Sequence, residues 1–264
     1  MATIKDQVTL RTGVADWLNR SDLTDSQLDD FISIGEARLY EDLRVPPLEV
    51  VQSFSVTSTN SSIIIPAGLI EIIELKLDKA DKDDDIVLSR IDSKTFSNQK
   101  VTHSYTRQAN NFLLTDKNGE QEASGTFVMT YYKAEDPVGT YATAATAATA
   151  MVVDNYYKIA VAGNTTWTNH GAANNNVGTI FKATSVGTGT GTSYIETIPW
   201  ILGTEFETIL YASCAVGATF LGDIEMEQKF NELTLRKVNA LNQKEIRASL
   251  KGSSFASRFD SPLL

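Results

Sequence analysis

The chain has 264 residues, of which 23 are basic and 33 are acidic, so its formal net charge is −10. This balance argues against a protein that binds nucleic acid by neutralising phosphates. The single cysteine, Cys214, excludes an intrachain disulfide and argues against a cysteine-based zinc site, and its apolar neighbours predict a buried thiol.

The sequence shows no pattern typical of secretion or of a membrane span. Residues 1–7 lack a basic flank followed by an apolar core, so we predict no signal peptide. No segment approaches the roughly 20 uninterrupted apolar residues that a membrane-spanning helix needs. We therefore expect a soluble protein that is synthesised in a cytoplasm and contacts no membrane.

Two amphipathic helices are predicted at the N-terminus, the first ending near Asn19. Thr24 and Gln27 have the spacing of a capping box, which predicts that the second helix begins there. Pro46 ends it, because proline cannot donate the next helical hydrogen bond. The buried stripe of this helix is predicted to comprise Leu28, Phe31, Ile32, Gly35, Leu39 and Leu43. The charged residues Glu36, Arg38, Glu41 and Asp42 are expected mostly on other faces.

Between residues 50 and 132 the pattern changes to short runs typical of β-strands. The runs lie at residues 54–57, 62–65, 69–77, 112–114 and 126–132. Asparagine, glycine and proline separate them, so we predict one small antiparallel sheet, interrupted by a short helix around residues 92–99.

The acidic run at residues 78–85 has two interpretations. Several carboxylates in sequence are typical of calcium ligands, but the run lacks the glycine and the terminal glutamate of a helix–loop–helix calcium site. A solvated loop is the preferred interpretation, and we predict no metal and no cofactor.

Two low-complexity tracts bound a predicted β-rich module. An Ala/Thr tract covers residues 141–150, and a Gly/Thr tract covers residues 187–192. Both are interpreted as flexible linkers, with strands at residues 156–161 and 179–184 between them. Because loop tips of a stable core accept such additions, the module is predicted to be an insertion.

The remaining sequence is predicted to be helical up to about residue 250. One helix should present Phe206, Ile209, Leu210, Ser213, Gly217 and Phe220 on one face, and a second should follow Gly222. The overall prediction is an α+β fold: a helical bundle, formed by N-terminal and C-terminal helices, packed with a small antiparallel sheet and carrying an inserted small β domain. The predicted boundaries are 1–140 and 196–250 for the core, 141–195 for the module, and 251–264 for a polar tail.

No set of residues has the spacing of a catalytic site, so we predict that the chain is not an enzyme. His103 and His170 have no neighbouring histidine or cysteine and are expected at the surface. The glycines of residues 187–191 lack the Lys-Ser/Thr that follows a phosphate-binding loop. Tyr157 is expected in the core of the module, whereas Trp167 is left open between core and surface.

The N-terminal half resembles a known protein family in several segments. Residues 15–23 (ADWLNRSDL) and 31–44 (FISIGEARLYEDLR) are similar to the N-terminal signature of phage head-to-tail adaptor proteins, also called connectors or tail tubular protein A-like gatekeepers of short-tailed bacteriophages. Residues 64–71 (IIPAGLIE) resemble a turn of that family, and residues 130–133 (TYYK) its last core strand. The resemblance covers most of residues 1–135 and, more loosely, residues 196–250.

The resemblance implies a structural virion protein at the head–tail junction. In such a role about twelve copies would form a homo-oligomeric ring by heterologous contacts. The ring would bind the portal protein and the tail nozzle protein, and DNA would pass through its channel during packaging and ejection without sequence-specific binding. An acidic lumen would suit that role, because carboxylates repel phosphates.

The same resemblance suggests site residues. Glu36, Arg38, Asp42 and Arg44 are candidates for subunit contacts, against the alternative of a solvated helix face. Phe255, Arg258 and Phe259 are candidates for docking the C-terminal tail on the portal. Trp167 is the surface candidate in the module. The rival function is a host-surface or glycan-binding virion protein acting through residues 151–192, and tail fibres are a further partner that the module could contact.

Overall fold

The computed structural model describes residues 4–79 and 85–251, with side chains as far as residue 244. The helices in this part of the chain are α1 (Gln7–Trp17), α2 (Asp25–Asp42), α3 (Ser93–Asn98), α4 (Trp200–Thr204), α5 (Phe206–Leu221) and α6 (Ile224–Lys251). The strands are β1 (Glu49–Val56), β2 (Ser62–Ile64), β3 (Leu69–Asp78), β4 (Ile86–Val87), β5 (Ser89–Arg90), β6 (Ser104–Gln108), β7 (Asn111–Leu114), β8 (Gly125–Lys133), β9 (Thr146–Ala147), β10 (Tyr156–Val161), β11 (Ile180–Lys182) and β12 (Thr192–Ile195). The predicted α+β class with a β insertion is confirmed.

The chain forms two compact units. The first comes from within residues 1–42 and 136–241, and the second from within residues 43–135 and 242–264. The first unit therefore holds α1, α2, α4, α5, most of α6 and strands β9 to β12. The second holds strands β1 to β8 with α3.

Helices α1 and α2 begin at side-chain caps. The Asp6 carboxylate accepts the backbone N–H of Thr9 at 2.8 Å at the start of α1. At the start of α2, Gln27 Oε1 accepts the Thr24 N–H at 2.9 Å, which confirms the predicted capping pair. Each cap satisfies an amide that has no partner within its own helix. All six residues of the predicted α2 stripe are buried.

Helices α2 and α5 pack closely because both carry a glycine at their contact. A Cβ on Gly35 would lie 2.8 Å from the backbone nitrogen of Ser213, and one on Gly217 would lie 3.1 Å from Phe31 Cδ2 of α2. Cys214 is buried and free as expected, and burial raises the pKa of its thiol to about 12. Phe220 lies in the last turn of α5 and is 59% exposed, and its ring centre is 5.3 Å from that of Phe31 in α2.

The second unit contains two four-stranded sheets rather than the single sheet that the sequence predicted. One has the order β1-β8-β3-β4 and the other β2-β7-β6-β5. All pairs are antiparallel except β5 with β6. The pattern missed β6 because its sequence, Ser-Tyr-Thr-Arg-Gln, holds a single large apolar residue. The predicted helix near residue 92 is confirmed as α3, which Asp92 caps.

The module of the first unit is a four-stranded sheet with the order β11-β10-β12-β9. Its core contains Tyr157, Ile159, Phe181 and Trp167. The prediction that two flexible linkers bound the module is wrong. The Ala/Thr tract supplies β9 and a 3-10 turn whose Ala148 is fully buried. In the Gly/Thr tract, a Cβ on Gly191 would lie 2.6 Å from the Trp167 ring, so the small residues allow close packing.

Two predicted features lie largely outside the described residues. Of the acidic run, residues 80–84 fall in the gap, while Asp85 at its end pairs with Lys76 Nζ at 2.6 Å. The tail residues Phe255, Arg258 and Phe259 also lie outside the described residues.

Candidate docking surface and module neck

A groove in the first unit brings together two of the predicted contact residues. Arg38 and Asp42 lie one turn apart on α2, and both are exposed. Together with Glu41 they form one wall of a cavity of about 480 Å³. The sequence placed these residues on the outer face of α2, and the structure adds a concave surface beside them. We call this surface the α2/α6 groove.

The opposite wall of the α2/α6 groove comes from α6, which the sequence analysis did not consider as a binding surface. It consists of Asn231, Thr234, Leu235 and Val238, and Ala212 of α5 contributes to the lining. Leu235 is 57% exposed although it is apolar. Its spacing of four and three residues from Asn231 and Val238 is the signal that could have identified this helix face. The groove thus combines apolar and charged groups, as protein contact surfaces do.

Glu36 is not available for a subunit contact, so this prediction is wrong. Its side chain is only 3% exposed. Its carboxylate accepts the backbone N–H of Val138 at 3.0 Å and lies 3.4 Å from the Tyr40 hydroxyl, which donates to it. A buried carboxylate is stable only when such donors compensate for its lost hydration. Glu36 therefore has a structural role.

Arg44 belongs to the second unit and contacts partners within it. Its Nε donates to Glu71 at 2.6 Å, and its guanidinium lies 5.7 Å from the centre of the Tyr132 ring. Its backbone N–H donates to Asn242 at 2.9 Å. The structure therefore does not group Arg44 with Arg38 and Asp42 in one groove.

Trp167 and His170 are both buried. His170 was expected at the surface, whereas Trp167, the surface candidate of the module, was left open between core and surface. Trp167 is fully buried, stacks edge-on against Phe181 at 5.6 Å and donates from Nε1 to the carbonyl of Ala162. His170 is 7% exposed, and its Nδ1 lies 2.8 Å from Ser185 Oγ. Their polar neighbours in the sequence are typical of a loop. Both residues are nevertheless buried, because a small module needs large side chains to fill its core.

The module joins the rest of the first unit through two paired chain segments. Thr197 donates its N–H to the carbonyl of Thr140, and Ala142 donates to the carbonyl of Ile195, each at 2.8 Å. Tyr141 and Glu196 face each other in an antiparallel bridge between these bonds. We call residues 140–142 and 195–197 the neck.

Glu196 is a buried carboxyl group of the neck that the sequence analysis missed. Its Oε1 accepts the backbone N–H of Gln7, the first residue of α1, at 2.9 Å. Its Oε2 is buried and has no hydrogen-bond partner among the described residues. Burial raises the pKa of Glu196 to about 7, against the lowering effect of the Gln7 N–H. Burial likewise raises the pKa of the neighbouring Tyr141.

The neck is tied to both N-terminal helices by polar contacts. The Gln7 side chain donates from Nε2 to Asp29 of α2 at 2.9 Å, and Arg11 of α1 binds the same carboxylate through Nε at 2.6 Å. The bond to Asp29 raises the pKa of Arg11 further above its ordinary value. Glu196, α1 and α2 thus form one continuous network.

Within the described part of the chain, no three histidine, cysteine or acidic side chains cluster as metal ligands would. The helices described there include none that is long and apolar enough to cross a membrane.

Comparison with known proteins identifies one family. The sequence profile described as SU10 adaptor protein matches residues 8–163. This span covers well over half of the 264 residues. It begins at the second residue of α1 and contains α2, strands β1 to β8, and the module as far as β10. No protein with a curated function has significant similarity to the chain.

Proposed function

This chain belongs to the SU10 adaptor protein family, and on that premise we propose that it forms the ring between portal and tail nozzle of a short-tailed phage. The family makes it a structural phage adaptor protein of the virion. In our proposal the ring lines the channel through which DNA is packaged and ejected. The match over residues 8–163 carries the proposal, because it includes the whole of α2 with its exposed contact candidates.

The α2/α6 groove is the surface that we propose for contact between neighbouring copies. Its lining includes buried Leu39 and Val238 as well as the charged residues Arg38, Glu41 and Asp42. In a ring, each copy presents two different patches, so the groove of one copy would receive another surface of the next. Because each copy has a formal net charge of −10, Arg38 would meet a predominantly acidic surface.

The charge of the whole chain supports the channel role. Ten more acidic than basic residues per copy would make a ring strongly negative. A negative surface repels DNA phosphates, so the duplex could slide past without being held.

The decisive experiment mixes the purified chain with purified portal protein and images the product by electron microscopy. We expect a ring stacked on the portal. A chain that stays monomeric at all concentrations and does not bind the portal would contradict the proposal.

A charge reversal tests the groove itself. Arg38→Glu should raise the concentration needed for ring assembly by roughly tenfold or more, because like charges facing each other across an interface cost several kcal/mol. Sedimentation velocity measures the assembly. Lys229→Glu is the matched control, since this exposed lysine lies on α6 but does not line the groove. Equal effects of both variants would exclude the groove as a subunit contact.

The rival glycan-binding function has less support than the adaptor role. Two of the module's aromatic residues that could stack on sugars, Tyr157 and Trp167, are in its core. Whether the module contacts tail fibres stays a prediction.

A further inference from the structure

The neck is held against the N-terminus of α1 by a carboxyl group of which only one oxygen has a hydrogen-bond partner among the described residues. Glu196 Oε1 accepts the Gln7 N–H, whereas Oε2 is buried without a partner in the described residues. A neutral carboxyl group tolerates this position at moderate cost, but a buried carboxylate needs several donors to replace its hydration. The neck therefore has different stability in the two protonation states of Glu196.

We infer that Glu196 is a proton-sensitive latch, which holds the module neck against α1 when it is protonated and releases the neck when it is ionised. Release would break the bond from Gln7 N–H and hydrate the carboxylate. A cleft of about 660 Å³ lies beside Glu196, so water is close to the carboxylate once the neck is released.

The groups around Glu196 favour the protonated form on balance. Asp6 repels a negative charge on Glu196 more strongly than Arg11 of α1 attracts it. Across the neck and on β10, the neighbours are the phenols of Tyr141 and Tyr156, which are neutral at ordinary pH. The other charged groups of the cleft are Lys5, Asp154 and Lys182. Lys182 is engaged with Asp154 at 2.9 Å.

The direction of the pH effect follows from the raised pKa. In the released neck Glu196 is hydrated and returns to its ordinary pKa of 4.5, whereas in the closed neck its pKa is about 7. The closed neck therefore binds more protons than the open one between these values. Its stability is fully present below about pH 4.5 and is lost as the pH rises through about 7.

Hydrogen exchange measured on the full chain between pH 5 and 8 tests the latch. After correction for intrinsic exchange, the amide exchange rates of the neck and of residues 7–9 should be severalfold higher at pH 8 than at pH 5. Glu196→Gln should remove this pH dependence, because the amide keeps the acceptor for Gln7 but cannot ionise. Asp154→Asn removes an exposed carboxylate of the same cleft and should leave the dependence as in the unchanged chain.

A second measurement does not require a folded variant. Carbon-13 NMR of the labelled side chain should show the Glu196 carboxyl titrating near neutral pH. Titration near 4.5 would overturn the latch, as would a neck whose corrected exchange is the same at pH 5 and pH 8. An unchanged pH dependence in Glu196→Gln would do the same.

Discussion

Two glutamates of α2 have different roles because one is buried and the other is exposed. Glu36 and Glu41 lie on the same helix, but Glu36 is 3% exposed and bonded, whereas Glu41 faces solvent at the rim of the groove. The helical pattern placed both outside the apolar stripe. Glu36 is buried because the Val138 N–H approaches α2 from a segment 102 residues away.

At this scale we predict the effect of removing each carboxylate. Glu36→Ala should lower the free energy of unfolding by about 1–3 kcal/mol or more, because the Val138 N–H would be left buried without an acceptor. Glu41→Ala, its control on the same helix, should change stability by less than about 0.5 kcal/mol. Urea denaturation followed by circular dichroism measures both. Similar losses for the two variants would contradict the structural role of Glu36.

At the scale of elements, the contact between α2 and α5 depends on the absence of side chains. Gly35 faces the backbone of Ala212 and Ser213, which cannot move as a flexible side chain can. Close packing of this kind brings the helices nearer than ordinary side chains allow. The apolar stripe of α2 could be predicted from the spacing of its residues. That spacing does not show that Gly35, the small residue within the stripe, sets the distance between the two helices.

Adding one methyl group tests this contact. Gly35→Ala should destabilise the chain by about 1–3 kcal/mol despite the higher helix propensity of alanine, because the new Cβ would overlap the α5 backbone. Gly203→Ala in α4 is the matched control, since its Cβ would approach only Ile198 Cγ2, at 3.6 Å. Thermal unfolding should show a lower midpoint for Gly35→Ala alone. A midpoint unchanged from that of the original chain would rule out the close contact.

At the scale of the whole molecule, the chain passes repeatedly between its parts. The two compact units alternate along the sequence, with divisions near residues 42, 135 and 241. The module leaves and re-enters the first unit at the neck, where Thr140 and Thr197 are hydrogen-bonded at 2.8 Å. Segments that leave and return at one point can be removed with a short connection.

Replacing residues 141–196 by two glycines should therefore preserve the helical part of the first unit. We expect the shortened chain to remain folded and to assemble on the portal, because α2, α5 and the α2/α6 groove lie outside the deletion. Electron microscopy of the complex and circular dichroism measure the two outcomes. Loss of portal binding by a folded chain would show that the module takes part in docking. Normal assembly combined with lost attachment to host cells would instead favour the rival host-surface function.

Much of the fold was readable from local patterns, and most of the site was not. The capping pair at Thr24, the stripe of α2 and the helix at residue 93 were predicted because their signals lie within a few residues of each other. Arg38 and Asp42 were suggested as contact residues by the family resemblance, and their helical spacing placed them outside the apolar stripe. The groove beside them was not, because its second wall lies nearly 200 residues further along the chain.

The sequence by itself determined the helix boundaries, the positions of most strands, the acidic charge and the membership of a phage adaptor family. Only the tertiary structure decided that Trp167 and Glu36 are buried, that the Ala/Thr and Gly/Thr tracts are packed parts of the module, and that Glu196 lies at the start of α1. Helix caps and apolar periodicity depend on residues that are close in the sequence, so both can be predicted from local sequence patterns. Burial and pKa depend on which distant segments meet, and no local pattern contains that information.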